Sequence, residues 1–273
     1  MTDTAWPNPI VVGIDGSATA VQAGLWAVTE AVDRATPIRL LYAIDPTATD
    51  AEDEAHRLAT AEIAVRQAYT ALEATEQPVK IEVEIVQDRP IAALIRASAS
   101  AAMISVGAMG FRHFADGRIG STAEALATSA HCPVAIVRGP RHAPTSGTGW
   151  VVALIDDTVD RHPVLQAGVE EALRRNAPLR VLAQRHSGDE HAEGRLDRAL
   201  DQWTHRHPGL AVHTQLVAGS SADYLAEHAA HTQLVVAGAQ HHAAIRELFS
   251  AGGYAARHNT QCSLLIVNCH HGL

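Results

Sequence analysis

Short aliphatic runs alternate with longer stretches of helical period along the first half of the chain. The runs 10–14, 38–44, 80–86, 103–107 and 133–137 are β-branched or aliphatic and bounded by turn residues, as buried strands are. Between the first two, 18–35 is alanine-rich with Val21, Leu25, Val28 and Val32 at helical spacing. The stretch 50–75 continues this period through Leu58, Ile63, Ala68 and Leu72. A further stretch, 90–101, begins on Pro90, which suits the first helical position, and 121–131 opens with Ser121 and Thr122, residues favoured at helix starts. Strands that are apolar throughout, alternating with amphipathic helices, predict a parallel sheet covered by helices on both faces.

The same pattern is written a second time. Val11-Val12-Gly13-Ile14-Asp15 returns as Val151-Val152-Ala153-Leu154-Ile155-Asp156, and Pro37-Ile38-Arg39-Leu40-Leu41 as Pro178-Leu179-Arg180-Val181-Leu182. Met103-Ile104-Ser105-Val106-Gly107-Ala108 returns as Leu234-Val235-Val236-Ala237-Gly238-Ala239. His131-Cys132-Pro133-Val134-Ala135-Ile136-Val137 returns as Gln261-Cys262-Ser263-Leu264-Leu265-Ile266-Val267. Four matches in the same order mark an internal duplication. Its joint, near 138–149, carries Gly139, Pro140, Pro144, Gly147 and Gly149, as a linker should. Two domains follow, 1–140 and 148–273. Each is expected to be an α/β layer with a five-stranded, doubly wound parallel sheet flanked by helices. In such folds a ligand sits beyond the carboxyl ends of the strands, where the strand order switches.

A chain of 273 residues, 47% of them apolar, has material for two cores. The net charge of −9 argues against a nucleic-acid coat, since phosphate neutralisation needs clustered cations. Lys80 is the single lysine, so a phosphate loop built on Gly-x-x-x-x-Gly-Lys is excluded. No apolar run is long enough to span a membrane, and 1–9 lacks the basic and apolar regions of a signal peptide. Three cysteines, Cys132, Cys262 and Cys269, make no disulfide framework, and a cytoplasmic location is expected.

The candidate chemistry gathers at strand ends in the first copy. The first strand runs into Gly13-Ile14-Asp15-Gly16-Ser17, where the Asp15 carboxylate either accepts hydrogen bonds from a ribose or adenine group or caps the following helix. The fourth strand ends in Gly107-Ala108-Met109-Gly110, and nine residues later Gly120-Ser121-Thr122 opens a helix. Glycines at a strand end let backbone N–H groups approach an anion. The helix start adds unpaired donors and the positive end of its dipole. The hydroxyls of Ser121 and Thr122 supply more donors, and Arg112 and Arg118 can balance negative charge.

The motif Gly107-x2-Gly110-x9-Gly120-Ser121 coincides with Asp15 at the end of the first strand and His131-Cys132-Pro133-Val134 before the last. In this combination the chain resembles the ATP-binding type of universal stress protein, in its tandem two-domain form. The resemblance implies an adenine nucleotide as partner, with ATP, accompanied by magnesium or manganese, as cofactor. It assigns adenosine to Asp15 and Ala43 and the triphosphate to Gly107, Gly110, Gly120, Ser121 and Thr122, with Gly13 and Met109 among the residues that bind the cofactor. Ala43 stands where the family commonly has a larger apolar residue, which widens the adenine slot. The implied role is a stress-response or growth-regulatory switch whose nucleotide state is read by a regulatory protein partner. The resemblance also implies a homodimer, with last strands paired across domain and subunit edges. No nucleic acid and no membrane are implied. A slow ATPase, or an enzyme of nucleotidyl or phosphoryl transfer with Asp116 as its only nearby base, is the alternative from another class. A nucleotide-free dimeric scaffold is the third.

The second copy departs from the motif. His241 stands at the second glycine, Ser250 and Ala251 stand at Gly120 and Ser121, and Asp157-Thr158 replaces Gly16-Ser17. A histidine side chain fills space that phosphates need, and alanine has no hydroxyl to donate. The second domain is therefore expected to bind ATP poorly or not at all. Fourteen of the 17 histidines lie from His142 onward, but His205-x-His207, His228-x2-His231, His241-His242 and His270-His271 fall on different elements. They predict a solvated, pH-responsive surface and no metal site. Cys132 and Cys262 read as small buried hydrophobes, and Trp150 and Trp203 as packing residues.

Overall fold

The computed structural model describes residues 7–46, 51–108, 120–138, 149–155, 161–184, 192–217, 220–228, 231–241 and 262–268. The contacts divide the chain into two compact units, Met1–Pro140 and Arg141–Leu273. The first contains β1 (Ile10–Ile14), α1 (Ala18–Arg34), β2 (Ile38–Ile44), α2 (Ala51–Glu73), β3 (Ile81–Gln87), α3 (Pro90–Ser98), β4 (Met103–Gly107), α4 (Ser121–Ser129) and β5 (Val134–Val137). Its strands lie in the order β3-β2-β1-β4-β5, all parallel. This is the doubly wound order, and its switch point falls between β1 and β4. The second unit contains β6 (Trp150–Ile155), α5 (Arg161–Arg174), β7 (Leu179–Gln184), α6 (Ala192–Arg206), β8 (Val212–Val217), α7 (Ser221–Glu227), β9 (Thr232–Gly238) and β10 (Ser263–Val267). Its order, β10-β9-β6-β7-β8, is again parallel throughout. The doubly wound α/β layer expected from the alternation is present in both units.

Local chemistry accounts for the element ends. Ser17 is the N-cap of α1, its hydroxyl accepting the Ala20 N–H at 3.1 Å. Ala35 closes the same helix in a left-handed conformation, φ 49°, donating its N–H to the carbonyls of Ala31 and Val32. Asn176 has φ 46° at the matching place after α5. Pro90 begins α3 within its first turn, where a missing N–H costs nothing.

Two helices bury a different face from the one their large residues suggest. On α1 the buried apolar side chains are Ala20, Ala23, Ala27, Val28 and Ala31, while Val21, Leu25 and Val32 are only half-buried. The small side chains let α1 lie close to β4, where the Ser105 hydroxyl donates to the Ala23 carbonyl at 3.0 Å. On α2 the core residues are Ala61, Ala64, Val65, Ala68 and Leu72. Leu58 and Ile63 are 44% and 60% exposed, so two of the four residues expected to face inward do not. A step of five residues from 58 to 63 leaves the stripe that steps of three and four keep facing the sheet.

Candidate functional site

The first unit has a cavity of about 640 Å³ at the switch point. It is bounded by the exits of β1, β2 and β4, by the starts of α3 and α4, and by one face of α2. Such a volume suits a cofactor-sized ligand, for which about 300–1,000 Å³ is usual.

The β1 exit is shaped by its neighbours. A β-carbon on Gly13 would stand 3.1 Å from Val106 Cγ1 and 3.2 Å from Leu94 Cδ1, so this residue is small because strand and helix side chains fill the space. Gly16 has φ +83°, the left-handed region open to glycine, and lies against Ala64 of α2. This turn carries Asp15 into the cavity mouth, where its Oδ1 accepts the Ser17 N–H at 2.9 Å. Asp15 thus braces the turn, while Ser17 does the capping. Beside it, burial and then the charge of Asp15 push the Tyr42 phenol above its ordinary pKa. Tyr42, Ala43 and Asp45 line the cavity from the β2 exit. Arg57 of α2 donates to the Asp45 carbonyl at 2.7 Å, which holds α2 against this end.

The β4 exit and the start of α4 are brought together. Ala108 donates its N–H to Val137 O at 2.9 Å, and Gly120 donates to Ala108 O at 3.0 Å, closing the intervening loop at its base. Gly107, Gly120, Ser121 and Thr122 therefore line the same cavity as Gly13, Asp15 and Ala43. Gly120 is the N-cap of α4 and provides no side-chain cap. The N–H groups of the first turn have no acceptor within the helix, and with the dipole they make this end attractive to an anion. The lining also includes Asp15 and Asp45, with Leu41, Leu94 and Val106 as its apolar part. Met109 and Gly110, with Arg112, Asp116 and Arg118, lie outside the described residues.

The alternation of elements and the strand order are those of a doubly wound fold that many families share, and direct comparison decides among them. The model of the universal stress protein family matches residues 7–138. Universal stress protein Rv2028c of Mycobacterium tuberculosis is 46% identical over 276 residues, covering 98% of this chain and 98% of its own. The chain belongs to the universal stress protein family. Universal stress protein Rv3134c of the same organism is 41% identical over 245 residues, covering 87% of this chain and 90% of its own. A crystal structure of a universal stress protein from Archaeoglobus fulgidus shares the fold, with a TM-score of 0.71 and 17% identity over 96% of this chain and 97% of that one.

This universal stress protein also lines its cavity with residues that the sequence reading missed. Tyr42 and Asp45 extend the β2 exit beyond Ala43 and were findable by the strand-end rule. Thr60, Ile63, Ala64 and Gln67 of α2 enter the cavity wall with no local signal, because only the packing of α2 brings them there. Cys132 is 6% exposed, and burial pushes its thiol up to about 12, so it is no nucleophile near neutral pH. Among the described residues, no group of three or more His, Cys, Asp or Glu is placed to hold a metal ion. None of the helices described is long and apolar enough to cross a membrane.

In the second unit Gly238 ends β9 as Gly107 ends β4. A single 3-10 turn, Ala239–His241, follows, and the Gln240 amide lies where a β-carbon on Gly238 would be. The side chain nearest that strand end is thus Gln240, whereas His241 drew attention in the sequence. Asp156, Asp157, Thr158, Ser250 and Ala251 lie outside the described residues.

Proposed function

We propose that the first unit of this universal stress protein binds ATP, and that the bound state acts as a cytoplasmic stress-response or growth-regulatory switch. The observation that carries the reading is the hydrogen bond from Gly120 to Ala108. It joins the start of α4, which has no side-chain cap, to the β4 exit, so that both line one cavity with Asp15 and Ala43. The triphosphate takes the α4 end, where Gly107 and Gly120 present backbone and Ser121 and Thr122 add hydroxyls. The adenosine takes the other end, between Gly13, Asp15 and Ala43, with Tyr42 and Asp45 beside it. Met109 and Gly110 complete the phosphate loop in this proposal. Magnesium or manganese would enter with ATP and would supply positive charge against that of the phosphates. The second unit, with Gln240 at its corresponding strand end, binds nucleotide weakly or not at all. A homodimer whose regulatory protein partner reads the nucleotide state is part of the same proposal.

Identification of the small molecules released on denaturing the purified protein tests it first. Calorimetry with Gly120→Asp tests the site: a carboxylate at the α4 N-cap is expected to weaken ATP by about tenfold or more, through repulsion and loss of space. An unchanged affinity overturns the assignment. Release of ADP or AMP at a rate that falls with Gly120→Asp would instead favour the enzyme reading.

A further inference from the structure

The strand register pairs Arg39 with Glu82 in the first unit and Arg180 with His213 in the second. Two residues on, Leu41 faces Glu84 and Leu182 faces Gln215. Arg39 and Arg180 therefore hold one position of the repeat, facing corresponding positions of the edge strand. Their surroundings differ in charge. Arg39 lies 3.6 Å from the Glu82 carboxylate and 3.5 Å from that of Glu84, and Lys80 binds Glu82 at 2.7 Å. In the second unit both acids are replaced, by His213 and Gln215, and among the described residues Arg180 has no carboxylate partner.

What Arg180 has instead is a set of rings. Its guanidinium carbon is 3.0 Å from the centroid of the Trp150 indole, and Nη1 donates to the Tyr224 hydroxyl at 2.5 Å. His213 stacks on Trp150 with centroids 5.8 Å apart and planes at 14°, and His228 stacks on Tyr224 at 4.1 Å and 14°. The Trp150 ring covers one face of the guanidinium and takes water from it without neutralising it, and the Tyr224 hydroxyl ties down Nη1. One N–H goes to Tyr224, and among the described residues no carboxylate takes the remaining donors, which a phosphoryl oxygen can use. Rings stacked on a guanidinium reduce the ordering cost of a bidentate hydrogen bond, because the fork is already held.

We propose that Arg180, set over Trp150, tied to the Tyr224 hydroxyl and paired across the sheet with His213, is a recognition site for the phosphoryl group of a small ligand. A phosphoryl group has the charge and the acceptor oxygens to engage the guanidinium fork and a neighbouring imidazole together, which a carboxylate does less completely. The site is built by β6, β7, β8 and α7, none of which lines the cavity of the first unit, so it stands whether or not ATP binds there.

The test is a titration of the full chain with inorganic phosphate, followed at the indole N–H resonance of Trp150, which Trp150→Phe identifies. A saturable shift is expected. Arg180→Gln is expected to weaken it by about tenfold or more, the loss of a charge-assisted contact. His213→Glu restores the arrangement around Arg39 and keeps the guanidinium, so it is expected to weaken phosphate equally with the circular dichroism unchanged. Arg39→Gln should leave the titration as it is. The proposal is overturned by no saturable shift in the wild type, by retained affinity in both Arg180→Gln and His213→Glu, or by acetate binding as tightly as phosphate.

Discussion

Replacing Gly107 with alanine probes the packing that shapes the cavity. A β-carbon at this position would stand 2.8 Å from the carbonyl carbon of Thr19, 2.8 Å from its Oγ1 and 2.9 Å from its Cβ. Carbon atoms settle at about 3.5–4.0 Å, so the overlap is about 0.7 Å or more. Rotating the Thr19 side chain relieves only part of it, because one of the atoms is backbone. Nor does the first turn of α1 yield easily. It is capped by Ser17 on Ala20 at 3.1 Å and anchored one turn later by Ser105 on Ala23 at 3.0 Å. The helix must move as a body, an overpacking cost of about 1–3 kcal/mol. For units of this size that corresponds to a fall in Tm of roughly 3–12 °C. Differential scanning calorimetry of the full chain measures it. Adding Thr19→Ala should restore less than half of the loss, since the carbonyl carbon remains. A Gly107→Ala protein that melts within about 1 °C of the wild type refutes the reasoning and leaves phosphate approach as the reason for the glycine.

Three further outcomes follow from local geometry. Ala35 pays strain for its left-handed φ of 49°, so Ala35→Gly should raise stability by about 0.5–1 kcal/mol in urea titration after the added unfolded-state entropy is subtracted; a loss would count against the assigned cap. Ser17→Ala removes the α1 cap and should lower the urea midpoint by the equivalent of about 0.5–2 kcal/mol, and an unchanged midpoint would mean that the cap contributes nothing. The Cys132 thiol rises from 9.0 to about 12 on folding, so its contribution to stability is complete below pH 9 and is lost as pH climbs from there toward 12. Cys132→Ala should flatten that decline, and rapid labelling of Cys132 by a thiol reagent in the folded protein at pH about 8 would contradict the burial.

Much of the cavity was legible because it is built from strand ends. A strand buried on both faces must stay apolar, so the first polar or glycine residue after it marks where chain emerges into the ligand crevice. Gly13, Asp15 and Gly107 could be located on that ground alone, whereas Ala43, an apolar residue within β2, was reached only through the family resemblance. The spacing to Gly120 located the start of α4 as well. The contributions of α2 had no such signature. Thr60 and Gln67 are polar residues on an exposed helix, and nothing adjacent in the chain distinguishes them from a solvated face.

The amino-acid order determined the alternation of elements, the duplication and the ends at which chemistry gathers, because apolar period and turn chemistry act over a few residues. Tertiary structure alone decided which helix faces are core. Alanines, not the larger Val21 and Leu25, lie deepest on α1 because the separation between helix and sheet selects side-chain size. It also decided that Gly107 makes room for Thr19, that Gln240 sits against Gly238, and that Trp150 supports a guanidinium. Each of these depends on a distance between residues remote in sequence, which no local pattern contains.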